Sequence, residues 1–264
     1  MYSFNIILTT LCNAHCNHCY METNINPKTL SFNEIDLLVD KLPMNTKTIV
    51  LTGGEIFLVR NELEYFLNKI NSKFKNINIG LESNGIYLYN HDALSILKRL
   101  KELNVGFIRF SDDPFHEKGG VNLDKVRKLK ELESTETPKI KYLVQNKALA
   151  IGEAEKLTEE EKSNPCCMNN ENSKMNPYIF MDINGNMYLC AWKSGLNIGN
   201  IFIDDFGKVE ENLKEPVNCC ILKGDISDAV SIYTGRSKND IDEEVNIAGE
   251  CNICIKTFIK RIGR

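Results

Sequence analysis

The sequence predicts an α/β fold in two parts: a partial barrel of parallel strands over residues 1–157, and a small α+β domain over residues 158–264 containing a β-hairpin. Two observations carry the prediction. Short β-prone runs alternate with helix-period runs up to about Glu155, and then the pattern changes. The ten cysteines divide the same way: Cys12, Cys16 and Cys19 stand near the start, and none recurs before Cys166, Cys167, Cys190, Cys219, Cys220, Cys251 and Cys254. A disulfide framework would scatter them through the chain, so two metal centres on two units are expected.

Strands are expected at Phe4–Thr9, Thr48–Thr52, Ile77–Leu81, Val105–Phe110 and Ile140–Val144, with a further short run at Ala148–Ile151. Helices lie between them. Ser31 and Glu34 form a capping box ahead of Ile35, Leu38, Val39 and Leu42 on one face. Leu63, Phe66, Leu67, Ile70 and Phe74 repeat at helical spacing, as do Leu94, Leu97 and Leu100. A more charged helix is expected over Asn122–Ser134, with Val126, Leu129 and Leu132 inward. Such alternation gives a parallel sheet with right-handed crossovers, either doubly wound or curled as a barrel. These strands are too few to close an eight-stranded ring, which favours an open TIM barrel of (β/α)6 type. Past Asn164-Pro165, Tyr178–Ile183, Asn184-Gly185 and Met187–Ala191 read as a hairpin with a type I′ turn, and the remainder as loops with at least one helix.

Composition narrows the function classes. With 264 residues, 42% hydrophobic and 26% charged, the chain has material for a sizeable core. A net charge of −4 gives no case for binding a nucleic-acid backbone or an anionic membrane. No apolar run approaches the roughly 18 residues a span needs. Met1-Tyr2-Ser3 lacks the basic and apolar regions of a secretory signal, so a cytoplasmic location is expected. In that compartment dense cysteine points to metal or to catalysis.

Cys12, Cys16 and Cys19 follow the first strand directly, at the carboxyl end where α/β sheets place their sites. Three thiolates on one loop can hold three irons of a four-iron cluster and leave the fourth open. Alternatively, a structural zinc would take His15 or His18 as its fourth ligand. The next strand ends in Gly53-Gly54-Glu55: glycines let backbone approach a ligand, and the acid can accept from an ammonium group. The following strands end in Ser83-Asn84-Gly85 and in Ser111-Asp112-Asp113, with Ser111 and Asp113 sharing a face by the strand period. Ordinary turn chemistry explains each alone. Four polar strand ends in succession converge on one rim.

This constellation resembles a radical S-adenosylmethionine (SAM) enzyme over roughly residues 4–155. The resemblance implies that Cys12, Cys16 and Cys19 bind a [4Fe-4S] cluster whose open iron is chelated by SAM. It assigns Glu55 with Gly53 and Gly54 to the SAM amine, and Ser83, Asn84, Ser111 and Asp113 to ribose or carboxylate contacts. His18, with Tyr20 just after, occupies the position that often carries an aromatic residue bordering adenine. The implied chemistry is reductive cleavage of SAM to a 5′-deoxyadenosyl radical that removes a hydrogen atom from the substrate, which requires a flavodoxin or ferredoxin-type reductant.

Farther along, Gly185 to Cys190, Asn197–Ile201 and Cys251-x-x-Cys254 resemble the auxiliary-cluster extension called SPASM, or its single-cluster form, Twitch. The dense downstream cysteine series of a full SPASM extension is missing. One auxiliary [4Fe-4S] cluster is therefore expected, on Cys190, Cys251, Cys254 and one of Cys166 or Cys167, with zinc as the alternative metal. Cys219 and Cys220 are left over. They read either as buried packing or as thiols that return a hydrogen atom to a product radical.

Enzymes with this extension commonly modify ribosomally made peptides by thioether or carbon–carbon links or by epimerisation. A peptide is therefore the leading substrate; the alternatives are a small metabolite, another enzyme to be matured, or a non-catalytic iron–sulfur or zinc scaffold. The chain begins almost at its first strand, so leader recognition is expected from the barrel mouth, the C-terminal unit or a separate leader-binding protein.

Overall fold

The computed structural model describes residues 1–19, 21, 26–144, 178–190, 197–248, 250–254 and 257–258; for 248, 251 and 252 the description is of the backbone. Five strands make the sheet of the larger unit: β1 (Tyr2–Thr9), β2 (Thr46–Gly53), β3 (Asn78–Ser83), β4 (Val105–Ser111) and β5 (Lys139–Leu143). They lie side by side in the order β5-β4-β3-β2-β1, with β2/β3, β3/β4 and β4/β5 parallel. Each of these five expected strands is present, shifted by one or two residues at an end. The run at Ala148–Ile151 falls outside the described residues.

The helices follow the apolar periodicity. α1 (Phe32–Lys41) starts behind the expected capping box, in which Ser31 N–H and Oγ donate to Glu34 Oε2 at 2.9 and 2.8 Å and Glu34 N–H returns to Ser31 Oγ at 3.3 Å. α2 (Arg60–Lys73) buries Leu63, Phe66, Leu67 and Ile70. Next come α3 (Ile86–Tyr89) and α4 (Ala93–Glu102), the latter burying Ile96, Leu97 and Leu100. Leu94, expected inward, is exposed, because Asp92 caps this helix and leaves Leu94 in its outward-facing first turn.

Two turns of structure were not legible in periodicity: α5 (Pro114–Lys118) and the 3-10 segment Ile56–Val59. Both are too short to show a helical period, and both are started by the side chain of the residue before them. The charged helix expected over Asn122–Ser134 is α6 (Leu123–Lys128), which tightens into a 3-10 turn at Leu129–Leu132. Among the described residues, no helix is long and apolar enough to cross a membrane.

By contacts the chain divides into two units: Ile6–Asp40 with Lys47–Ser163, and Asn164–Arg264 with Met1–Asn5 and Lys41–Thr46. In the second unit β6 (Tyr178–Met181), β7 (Asn186–Tyr188) and β8 (Gly199–Asn200) run antiparallel. Helices α7 (Phe206–Asn212), α8 (Pro216–Lys223), α9 (Ile226–Thr234), α10 (Lys238–Ala248) and α11 (Glu250–Cys254) follow. Tyr2 and Phe4 pack their rings on Phe206, and Tyr2 Oη donates to Glu210 at 2.7 Å. The opening strand residues are thereby tied to α7.

The hairpin forms, but not with the type I′ turn. That turn needs φ > 0 at both central residues, and Asn184 is not among the positive-φ residues whereas Gly185 has φ 81°. Asp182 N–H donates to Asn186 carbonyl oxygen, leaving a three-residue loop, and Asp182 Oδ1 accepts from the Asn184 and Asn186 N–H groups. The Asp182 side chain thus organises the turn and reserves the left-handed position for Gly185.

Candidate metal and cofactor site

β1 ends at Thr9 and delivers the cysteine loop against the end of β2. Gly54 N–H donates to Thr9 carbonyl oxygen at 2.8 Å and Glu55 N–H to Leu11 carbonyl oxygen at 2.7 Å. A Cβ at Gly54 would stand 2.2 Å from Leu11 carbonyl oxygen, and one at Gly53 2.2 Å from Thr9 carbonyl oxygen. Only glycine permits this approach. The far side of the loop is held equally closely: His15 N–H donates to Gly119 carbonyl oxygen, and a Cβ at Gly119 would meet Cys16 Sγ at 2.7 Å.

Glu55 is fully buried and organises the neighbouring strand end. Its carboxylate accepts from Phe57 N–H at 3.1 Å, Asn84 N–H at 2.9 Å, and Ser83 Oγ at 3.0 Å. Burial pushes its pKa up to about 7, while these donors pull the other way. Asn84 in turn donates through Nδ2 to Asn13 Oδ1 at 2.9 Å and toward Cys12 Sγ at 3.8 Å. Gly54, Glu55, Ser83 and Asn84 therefore form one continuous support reaching a loop sulfur.

On the other side of the loop, Asp113 caps α5 by accepting from Phe115 and His116 N–H, each at 3.0 Å, and its Oδ2 lies 2.8 Å from His116 Nδ1. The His116 contact draws the Asp113 carboxyl below the usual range despite its burial. His18 stacks on Phe115 with ring centroids 4.9 Å apart and meets His116 edge-on at 4.7 Å. Burial holds its pKa down at about 4, and its buried Nδ1 has no hydrogen-bond partner among the described residues. His18 is a neutral flat ring at this site. Ser111 closes β4 half-buried. Tyr20 lies outside the described residues.

The sequence places His116 just past the fourth strand, as a surface-loop histidine or a substrate contact; its pairing with the Asp113 carboxylate is what the structure adds. Its signal was local: Asp113-Pro114 predicts a capped helix start, and a histidine three residues after the cap can return to the cap carboxylate.

The donor set suits the [4Fe-4S] cluster that the resemblance implies. Burial raises the Cys12 thiol and pushes Cys16 up to about 12, with Cys12 and Cys19 adding repulsion, so three adjacent thiolates need cationic metal. Among the described residues, the trio of ligand atoms within 4.8 Å of one another is Cys16, His18 and His116; the three loop sulfurs are spread more widely. One tetrahedral zinc, with bonds of about 2.3 Å, would draw its sulfurs to within about 4 Å of one another. The wider spacing fits a polynuclear group.

In the second unit Cys190 follows β7 half-buried and Cys254 is buried in α11, one helical turn after Cys251. Cys166, Cys167 and the Cys251 side chain lie outside the description. Cys219 and Cys220 sit on α8; Cys219 Sγ turns back to Leu213 and Lys214 carbonyl oxygens at 3.5 and 3.3 Å, and burial raises the Cys220 thiol.

Residues 6–135 match the Radical SAM superfamily. The chain is 34% identical over 117 residues to the GTP 3',8-cyclase of Campylobacter curvus (strain 525.92), a match covering 42% of this chain and 34% of that protein. It thus spans about a third of the length of that relative. Among solved structures, BtrN in complex with AdoMet and 2-DOIA aligns with TM-score 0.61 at 16% identity over 90% of this chain and 91% of that one. Native anSMEcpe with bound AdoMet and Cp18Cys peptide aligns with TM-score 0.55 at 14% identity over 82% and 81%. At these identities the likeness is one of fold: an α/β architecture with a parallel-rich sheet. The matched segment runs from β1 through α6 and includes the cysteine loop with its Glu55 and Asp113 supports.

Proposed function

We propose that this protein is a radical SAM enzyme that removes a hydrogen atom from a ribosomally made peptide, leading to a thioether or carbon–carbon link or to an epimer. The observation that carries the reading is the cysteine loop itself: three thiols on one short loop, clamped by Gly54 and Gly119, with burial raising those of Cys12 and Cys16. Cys12, Cys16 and Cys19 hold the [4Fe-4S] cluster. Gly53, Gly54, Glu55, Ser83, Asn84, Ser111, Asp113, His18 and Tyr20 surround SAM. When bound, cluster and SAM together supply the 5′-deoxyadenosyl radical.

The chain's own residues position and shield that chemistry. Glu55 accepts from Ser83 Oγ and Asn84 N–H, so the polar groups of this strand end are already oriented. Asp113 engages His116 Nδ1 and thereby directs the opposite ring nitrogen away from itself. The His18–Phe115 stack gives a flat apolar wall that excludes water.

Cys190, Cys251, Cys254 and Cys166 or Cys167 would hold one auxiliary [4Fe-4S] cluster in the second unit. Cys219 and Cys220 are proposed as hydrogen-atom donors; burial raises the Cys220 thiol, which favours the S–H form a donor requires. Electrons would come from a flavodoxin or ferredoxin-type protein, and a separate protein would grip the peptide leader. The peptide reading is supported by the fold shared with anSMEcpe, whose structure holds a peptide. A small-molecule substrate is the second reading, favoured by the stretch shared with GTP 3',8-cyclase.

The test is anaerobic reconstitution, reduction and assay for 5′-deoxyadenosine from SAM. Release that Cys16→Ala abolishes is the expected result. Zinc in place of iron, with no release, would leave the scaffold reading standing.

A further inference from the structure

Parallel strands covered on both faces read as apolar throughout. In the larger unit, β3–β5 do not. One face is Ile79, Leu81, Ile108, Phe110 and Ile140, all buried. The opposite face alternates with it and carries Gly80, Glu82, Phe107, Arg109, Lys139 and Lys141. The register sets Gly80 beside Phe107 and Phe107 beside Lys139, then Glu82 beside Arg109 and Arg109 beside Lys141.

The strip is built around the Phe107 ring. The ring fills the space over Gly80, where a Cβ would come within 2.2 Å of it. The Arg109 guanidinium and the Lys141 ammonium lie over the ring at 5.5 and 4.7 Å from its centroid. Arg109 Nη2 donates to Glu82 at 2.9 Å, which fixes the guanidinium, and both side chains remain about a quarter exposed or less (26% and 21%). Arg109 Nε is buried and has no hydrogen-bond partner among the described residues. Lys139 and Lys141 are exposed. Three cations on this face therefore stand against its one carboxylate, Glu82, with Glu133 also near Lys139.

A guanidinium held in place by a carboxylate and a ring, and still partly exposed, is suited to an oxyanion. Ser111 lies on this same face of β4, two residues nearer the carboxyl end that β1 shares with the cysteine loop. We propose that this strip anchors an anionic group of the substrate, a carboxylate or a phosphate. The exposed part of the Arg109 guanidinium makes the directed contact and Lys141 supplies the second charge. The proposal rests on the radical SAM reading for calling the ligand a substrate.

The experiment is calorimetric titration of the cluster-loaded, SAM-bound protein with glutarate and, separately, inorganic phosphate. Saturable binding of one probe is expected, weakened at least about tenfold by Arg109→Gln and by Lys141→Gln. Lys101→Gln, an exposed change on α4, should bind like the parent. Because Lys141 is exposed, its variant tests the site even where loss of Arg109 impairs folding. Preference for glutarate assigns a carboxylate, and preference for phosphate a phosphate. Failure of both probes to saturate the protein overturns the proposal, as does parent-like binding by Lys141→Gln. The same preparations are assayed for 5′-deoxyadenosine. Release without probe binding overturns the anion site alone; probe binding without release overturns the enzyme reading alone.

Discussion

At the residue scale, two buried groups titrate in opposite senses. Burial raises Glu55 from 4.5 to about 7, so the folded metal-free chain holds a proton there that the unfolded chain releases; stability from this group falls as pH rises from 4.5 to 7. His18 is lowered from 6.5 to about 4, so the unfolded chain binds the extra proton; stability from this group rises over pH 4 to 6.5. Each change is on the order of 3 kcal/mol at most, and the two offset each other. Urea unfolding of the metal-free protein should therefore vary little between pH 4.5 and 6.5, where these two groups are concerned. Glu55→Gln should reveal a rise with pH, and His18→Phe a fall. Equal pH slopes in all three proteins would show that neither group is perturbed. The motif letters were legible in the sequence, but this role of Glu55 was not. Whether a strand-end carboxylate faces a ligand or the interior depends on which neighbours donate to it, here Ser83 and Asn84, 28 and 29 residues away.

At the element scale, short-range chemistry was the most legible. The Ser31–Glu34 box was written in four residues and is present with all of its hydrogen bonds. Ser31→Ala should lower stability by about 1 kcal/mol with no change in bound iron, read from denaturant midpoints and metal analysis. The glycine clamps were half-legible: Gly53 and Gly54 stood out at a strand end, whereas Gly119 and the contact partners of all three did not. Gly119→Ala should instead reduce bound iron, because its Cβ must displace Cys16 Sγ, backbone nitrogen and Cα, which lie 2.7–3.0 Å away. Full iron content in Gly119→Ala would show that the loop yields without cost to the cluster. The hairpin shows where dipeptide rules stop. Asn184-Gly185 marks a turn correctly, but the Asp182 side chain selects a three-residue loop over the two-residue one.

At the scale of the whole molecule, the uneven spacing of cysteine was the strongest guide. It separates three thiols in the unit built on β1–β5 from Cys190 and Cys254 in the unit built on β6–β8 and α7–α11. Parallel pairing in the larger unit was legible because buried strands and helix periods differ in length and period; the strand order was not. The charged face of β3–β5 was not, since alternation alone does not say which face helices cover. Two metal centres on two units should load independently. Fully reconstituted protein should then carry roughly eight irons, with roughly four left when Cys12, Cys16 and Cys19 are all replaced by alanine. Cys190→Ala with Cys254→Ala should also leave roughly four, and should retain SAM binding. The two losses should add, as effects at independent sites do. About four irons in the parent protein, unchanged by Cys190→Ala with Cys254→Ala, would remove the auxiliary cluster and leave those cysteines to packing or zinc.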